Sequence, residues 1–270
     1  MKFEYKIKFI SSVILCFIIS ILGNISSVNN KDMTVFEFII SGKCYSNTSP
    51  TIYHGISYSL SGSWFSTLLP LLVAIPGLLP YADHMQSGFW RYSIVRVGKK
   101  NYIRKCWLSN VVTGSLAVTL GYLLYCAVVL MNFRSVDDKN IYLMNPLCKL
   151  LDIQSIFVVI AFKALILMIF SFFTVSICLC MYLITDNKYK AIGMPIIMFY
   201  LLSSVSDNIS KKSDNLKIQI ISPQQLISSS EYWFETCYGV SYWILPISFA
   251  ALIILLYAAY SVVMKRRLEV

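Results

Sequence analysis

Residues 106–131 read CWLSNVVTGSLAVTLGYLLYCAVVLM, a run without a single charged side chain. The hydrocarbon core of a bilayer is about 30 Å thick, so a helix rising about 1.5 Å per residue needs about 20 apolar residues to cross it. Backbone groups in lipid have no water to bond, and a lone run of this length satisfies them as a helix. Further runs of this character lie at 9–28, 61–80, 153–184, 191–206 and 240–264. The expected fold is all-α: one polytopic membrane domain over residues 1–270, with six crossings. Two runs depart from the ideal. The fourth carries one charge, Lys163, and the fifth is short, with Pro195 near its start predicting a kink or a tilt.

Composition agrees. Of 270 residues 57% are hydrophobic and 13% charged, at a mean hydropathy of +0.67, whereas soluble domains carry about a quarter charged residues. The net charge of +10 would point to nucleic acid in a soluble chain. Here its distribution explains it. One side of the membrane takes Lys2, Lys6, Lys8, the group Arg91, Arg96, Lys99, Lys100, Arg104 and Lys105, then Lys188, Lys190, Lys265, Arg266 and Arg267. Four acids oppose them there: Glu4, Asp83, Asp186 and Glu269. The other side carries eight basic and nine acidic residues. The basic excess marks the cytoplasmic face. Both termini are thus expected in the cytoplasm of a multi-pass plasma-membrane protein, with membrane lipid and no nucleic acid as its charged partner.

The first run follows three lysines, as a signal peptide would, yet Gly23-Asn24-Ile25-Ser26-Ser27 offers no small-residue cleavage site. An uncleaved anchor is expected. Three outer segments follow, at about 29–60, 132–152 and 207–239. Within them Thr34–Ile40 reads as a short amphipathic element, and Ser222-Pro223 as a helix start. Cys44, Cys148 and Cys237 fall one in each segment. A disulfide between two of them stays open, since spacing alone cannot assign a bridge.

The inner segment 81–105 carries the most information. Asp83, with Gln86 three residues later, reads as a helix start, and Gly98 as a left-handed stop. Trp90, Ile94 and Val97 fall on one apolar face of the intervening helix, expected at about 83–97 and about 20 Å long. Such a helix either rests on lipid headgroups, with Arg91 and Arg96 on phosphates, or docks into a cytoplasmic partner.

An acidic residue, Gly, Arg, Ser-x-x-Arg, Tyr and Lys running into a span, here Asp83, Gly88, Arg91, Ser93, Arg96, Tyr102 and Lys105, resembles the inner segment of type-2 ATP-binding-cassette (ABC) exporter permeases. The layout of six spans with an inner elbow after the second is similar along the whole chain; the motif covers only residues 80–106. The resemblance implies a permease subunit that pairs with a second protomer and with two cytoplasmic ABC ATPase subunits. Asp83, Gly88, Arg91 and Arg96 would then belong to a coupling helix, and Tyr102 and Lys105 to its junction with the third span. His84-Met85-Gln86 and Trp90 are bulkier and less acidic than the stretch many relatives carry there.

No cofactor or metal is expected in this chain. Neither Gly42-Lys43 nor Gly98-Lys99 sits in a phosphate-binding loop, so ATP and Mg would be bound by the partner ATPase. Catalysis finds no footing either: His54 and His84 are the only histidines, and Gly55-Ile56-Ser57-Tyr58-Ser59 lacks the second glycine of a nucleophile elbow. The rival readings are a secondary transporter and a non-transporting scaffold or sensor. Lys163, alone at membrane depth, would snorkel outward, pack against a second protomer or line the pathway. The small outer segments favour amphipathic cargo, such as an antimicrobial peptide.

Overall fold

The computed structural model describes residues 2–22, 24–26, 32–40, 52–60, 63–133, 155–212 and 244–268. In chain order they form α1 (Lys2–Ile21), β1 (Asn24–Ser26), β2 (Asp32–Thr34), α2 (Val35–Ile40), α3 (Ile52–Ser59), α4 (Ser63–Gln86), α5 (Trp90–Val97), α6 (Lys99–Asn132), α7 (Ile156–Thr185), α8 (Lys188–Lys212) and α9 (Ile244–Arg267). Apart from the antiparallel pair β1–β2, in register Asn24 with Thr34, the described elements are helical. Cys44, Cys148, Cys237 and Ser222-Pro223 lie outside the described residues.

Among the described residues, four helices are long and apolar enough to cross a membrane: α4 over Phe65–Gln86, α6, α7, and α9 over Ile247–Arg267. The first and fifth expected crossings do not meet that requirement among the described residues. Helix α1 begins at Lys2 and ends at Ile21, and a strand occupies Asn24–Ser26, so 9–28 is not one helix. Its first two turns are spent on Lys2, Glu4, Lys6 and Lys8, which leaves an apolar stretch of only about 20 Å. Helix α8 holds Pro195 and is bounded by Lys188 and Lys190 at one end and Asp207, Lys211 and Lys212 at the other.

The bundle is centred on α4, α6 and α7, which pack on one another. Helix α1 lies in the angle of α4 and α6, α8 against α4 and α7, and α9 against α7. Between apolar helices in lipid there is little hydrophobic drive, so close backbone approach at small residues supplies the cohesion. Gly77 of α4 and Gly114 of α6 form such a crossing: a Cβ on Gly114 would lie 2.7 Å from Val175 Cγ2 on α7 and 2.9 Å from the Val73 carbonyl oxygen. Gly121 does the same for α1, where a Cβ would meet the Val13 carbonyl at 2.7 Å. Hydroxyls add bonds between helices: Ser12 Oγ donates to the Leu72 carbonyl at 2.7 Å. Cys16, Cys106, Cys126, Cys178 and Cys180 are free thiols packed among these helices, where a thiol acts as a small apolar filler.

At the far end of α6, Tyr125 donates to the Gly55 carbonyl at 2.7 Å and Tyr122 to that of Ile56 at 3.4 Å, fastening α3 to the bundle. The short element expected at 34–40 is α2. Thr34 and Glu37 cap it reciprocally, each backbone N–H donating to the other's side chain, at 3.0 and 3.2 Å. That T-x-x-E pattern stands in the sequence as a capping box.

Candidate functional site

Three prolines lie inside α4, the last of them Pro80, yet the helix runs on to Gln86. Asp83 therefore sits in the last turn of α4 and does not cap the inner helix; the expected start at 83 is corrected to Trp90. The break between α4 and α5 is made at Gly88, whose φ is +73°. Helix α5 ends at Gly98, whose N–H donates to the Ile94 carbonyl at 2.8 Å. Gly98 has a positive φ as expected, but with φ 83° and ψ 147° it is not left-handed helical. That region is open essentially to glycine alone. Nothing lies within 4 Å of a Cβ placed on Gly98, so backbone strain is the sole penalty there. Gly98→Ala is expected to cost about 1–3 kcal/mol, read as a lower melting temperature of the solubilised chain.

The two glycines isolate a rod with two faces. Trp90 and Ile94 are half-buried and pack on the core, as their spacing predicts, and Val97 is half-buried beside them. The opposite side presents Phe89, Tyr92 and Val95 at 51%, 77% and 89% exposure. Exposed Arg91 and Arg96 flank that apolar patch, and the Arg91 guanidinium lies 5.4 Å from the centre of the Trp90 ring. Phe89, Tyr92 and Val95 went unnoticed in the sequence because the apolar pattern there serves two opposed faces at once.

Asp83 joins three helices. One carboxylate oxygen accepts from Lys8 of α1 at 2.7 Å, the other from Lys188 of α8 at 3.2 Å. The bond to Asp83, with its charge, raises the Lys188 ammonium above its ordinary pKa. Beside this hub Asp186, in a left-handed conformation at φ 53°, ends α7 and pairs with Arg267 of α9. Asn187 then caps α8, its Oδ1 accepting from the Tyr189 N–H at 2.9 Å. These pairs are partly exposed, and such bonds contribute little. Asp83→Asn is expected to lower stability by about 1 kcal/mol or less, seen as a melting shift that shrinks further in high salt.

Above the ion pairs lies a layer of tyrosines. Tyr81, Tyr182 and Tyr260 are buried; Tyr260 OH donates to Tyr81 OH at 3.3 Å, and Tyr182 OH to the Ala82 carbonyl at 3.4 Å. The Tyr81 and Tyr182 rings meet edge to face at 5.7 Å. Tyr102 is buried too, its hydroxyl 3.4 Å from His84 Nδ1. The end of α4 is thereby bonded to α6, α7 and α9.

Neither a family model, nor a curated protein, nor a solved structure matches the chain. The arrangement itself divides the expected site residues. Gly88, Arg91 and Arg96 belong to the rod; Asp83 belongs to the ion-pair hub that holds α4, α1 and α8; Tyr102 belongs to the tyrosine layer. Lys105 is exposed on α6. Lys163 is 1% exposed, on the face of α7 that also buries Val159, Ile160 and Leu167. Within this chain it is enclosed. As a whole the arrangement is a rod between two glycines of positive φ, with an exposed apolar patch near Arg91 and Arg96, and a bonded layer of tyrosines.

Proposed function

We propose that the chain is the membrane-spanning permease subunit of an ATP-driven ABC exporter, with α5 as the helix that an ATPase subunit pushes. The observation that carries the reading is the outward face of α5. Phe89 at the cap of α5 and Tyr92 and Val95 on it are large and exposed, the Phe89 and Tyr92 rings 6.4 Å apart, with Arg91 and Arg96 exposed on the same helix, the aromatic-plus-arginine composition that anchors protein interfaces. A helix meant only to be covered by its own chain would not keep a second apolar face. In this reading α1 and α8 complete six crossings with α4, α6, α7 and α9. Both termini lie in the cytoplasm, the membrane is the plasma membrane, and a second permease protomer completes the pathway. The ATPase subunits bind ATP and Mg. Binding of ATP closes them, and the closure is passed through α5 to the tyrosine layer. Amphipathic cargo such as an antimicrobial peptide suits the small outer segments.

The test is copurification. The tagged chain, gently solubilised from its native membrane, is expected to bring down a nucleotide-hydrolysing subunit in stoichiometric amount. Recovery of the intact chain without one, after crosslinking before solubilisation, removes the reading.

A further inference from the structure

The cations that enter α6 do not share the outward face of α5. Arg104 and Lys105 are both exposed, and no carboxylate among the described residues forms an ion pair with either. In a helix of 3.6 residues per turn, Lys105 stands directly in line with Leu116 and Leu123, and Arg104 one turn before Leu108. Those leucines are exposed, Leu108 at 47%, Leu116 at 39% and Leu123 at 37%, and Leu120 and Leu124 extend the same stripe at 43% and 53%. A stripe of bare leucines on a membrane-crossing helix is covered by acyl chains. Its polar end therefore lies at headgroup level, where a cation meets phosphate.

We infer that Arg104 and Lys105 form a binding site for the anionic headgroup of a bilayer phospholipid whose acyl chains lie along the Leu108–Leu116–Leu123 stripe. The juxtaposition selects a phospholipid with net negative charge over a zwitterionic one. Its phosphate faces two cations, whereas a choline or ethanolamine group on the same lipid would be repelled by them. Arg supplies a planar fork for two phosphate oxygens and Lys a point charge. Lys105 thus serves lipid, beyond the place at the junction with the third span that the resemblance implies for it. The site stands whether or not an ATPase docks on α5.

The delipidated full chain in neutral detergent is offered an equimolar mixture of phosphatidylglycerol and phosphatidylcholine with matched acyl chains, and bound lipid is counted by native mass spectrometry. Wild type is expected to favour phosphatidylglycerol by roughly thirtyfold, from two basic residues near the surface. Arg104→Gln/Lys105→Gln should fall to near parity, and Arg104→Lys/Lys105→Arg should keep the preference. Both positions are exposed, so the melting profile of the apo chain reports that each variant is folded. The site is overturned by equal occupancy in wild type, or by an undiminished preference in the folded glutamine variant. Complete displacement by excess glycerol phosphate would also overturn it, because the acyl stripe would then contribute nothing.

Discussion

Gly114→Leu is expected to abolish the cooperative melting transition of the solubilised chain and its single peak on size exclusion. Even alanine has no room: its Cβ would press on Val175 Cγ2 at 2.7 Å and on the Val73 carbonyl oxygen at 2.9 Å. The valine can turn or be trimmed, but the carbonyl belongs to the backbone of α4 and yields only if the two helices separate. Overpacking by a methyl or methylene costs about 1–3 kcal/mol, which sets the scale for Gly114→Ala. Leucine drives a larger wedge into the same crossing, and the loss then rivals a total stability of about 5–15 kcal/mol. Two companions make the reading specific. Val175→Ala should restore part of the alanine variant's stability, since it clears one of the two contacts. Gly193, with nothing within 4 Å of its would-be Cβ, should accept leucine with little change. A Gly114→Leu chain that melts like wild type would mean that α4 and α6 do not cross there.

The second large effect belongs to α5. On the exporter reading proposed above, Tyr92→Glu/Val95→Asp is expected to eliminate transport by the complex with the proposed ATPase while leaving the melting temperature within error of wild type. Both side chains are mostly exposed, so the fold does not rely on them. If they are central to the docking face, their loss costs about 2–4 kcal/mol of association, roughly 30- to 1,000-fold in affinity. Two carboxylates placed between Arg91 and Arg96 add a charge that a desolvated interface cannot accommodate. Arg91→Glu/Arg96→Glu is the milder arm: hydrolysis by the bound ATPase should continue while transport falls. Wild-type transport in the first variant would leave the exporter reading without its main support, and would favour a rod that merely lies on lipid.

What the sequence makes legible here is what short-range spacing controls. The run at 106–131 lies within α6, and that at 153–184, with its single charge at Lys163, is α7 from Ile156 on, because length and a near absence of charge suffice. The face of Trp90 and Ile94 follows from a period of 3.6. Local signals fail where a distant partner decides. Asp83 and Gln86 have the spacing of a helix start, but Tyr81 and Ala82 are bonded to Tyr260 and Tyr182, about a hundred residues and more away in the chain, and α4 continues through them. Lys163 reads as a snorkelling cation near a helix end, yet the rotation of α7, set by packing on α6, turns it inward. Gly98 shows the intermediate case. Its positive φ was legible from its place after the periodic stretch, but its ψ depends on how the next helix leaves. The tyrosine layer carries no local signature. Tyr81, Tyr182 and Tyr260 each sit at the end of an apolar run, where an amphipathic ring is common for other reasons, and only their convergence gives them a shared role.

Helix α6 holds 34 residues without interruption, about 51 Å of rod, considerably longer than the membrane is thick. Gly98 is its joint with the elbow at one end, and Tyr122 and Tyr125 hold α3 toward the other. A beam of that kind does not relay a signal step by step. On the exporter reading, a tilt at its base would tip its far end in the opposite sense, so α3 and the elbow would be the two arms of one seesaw.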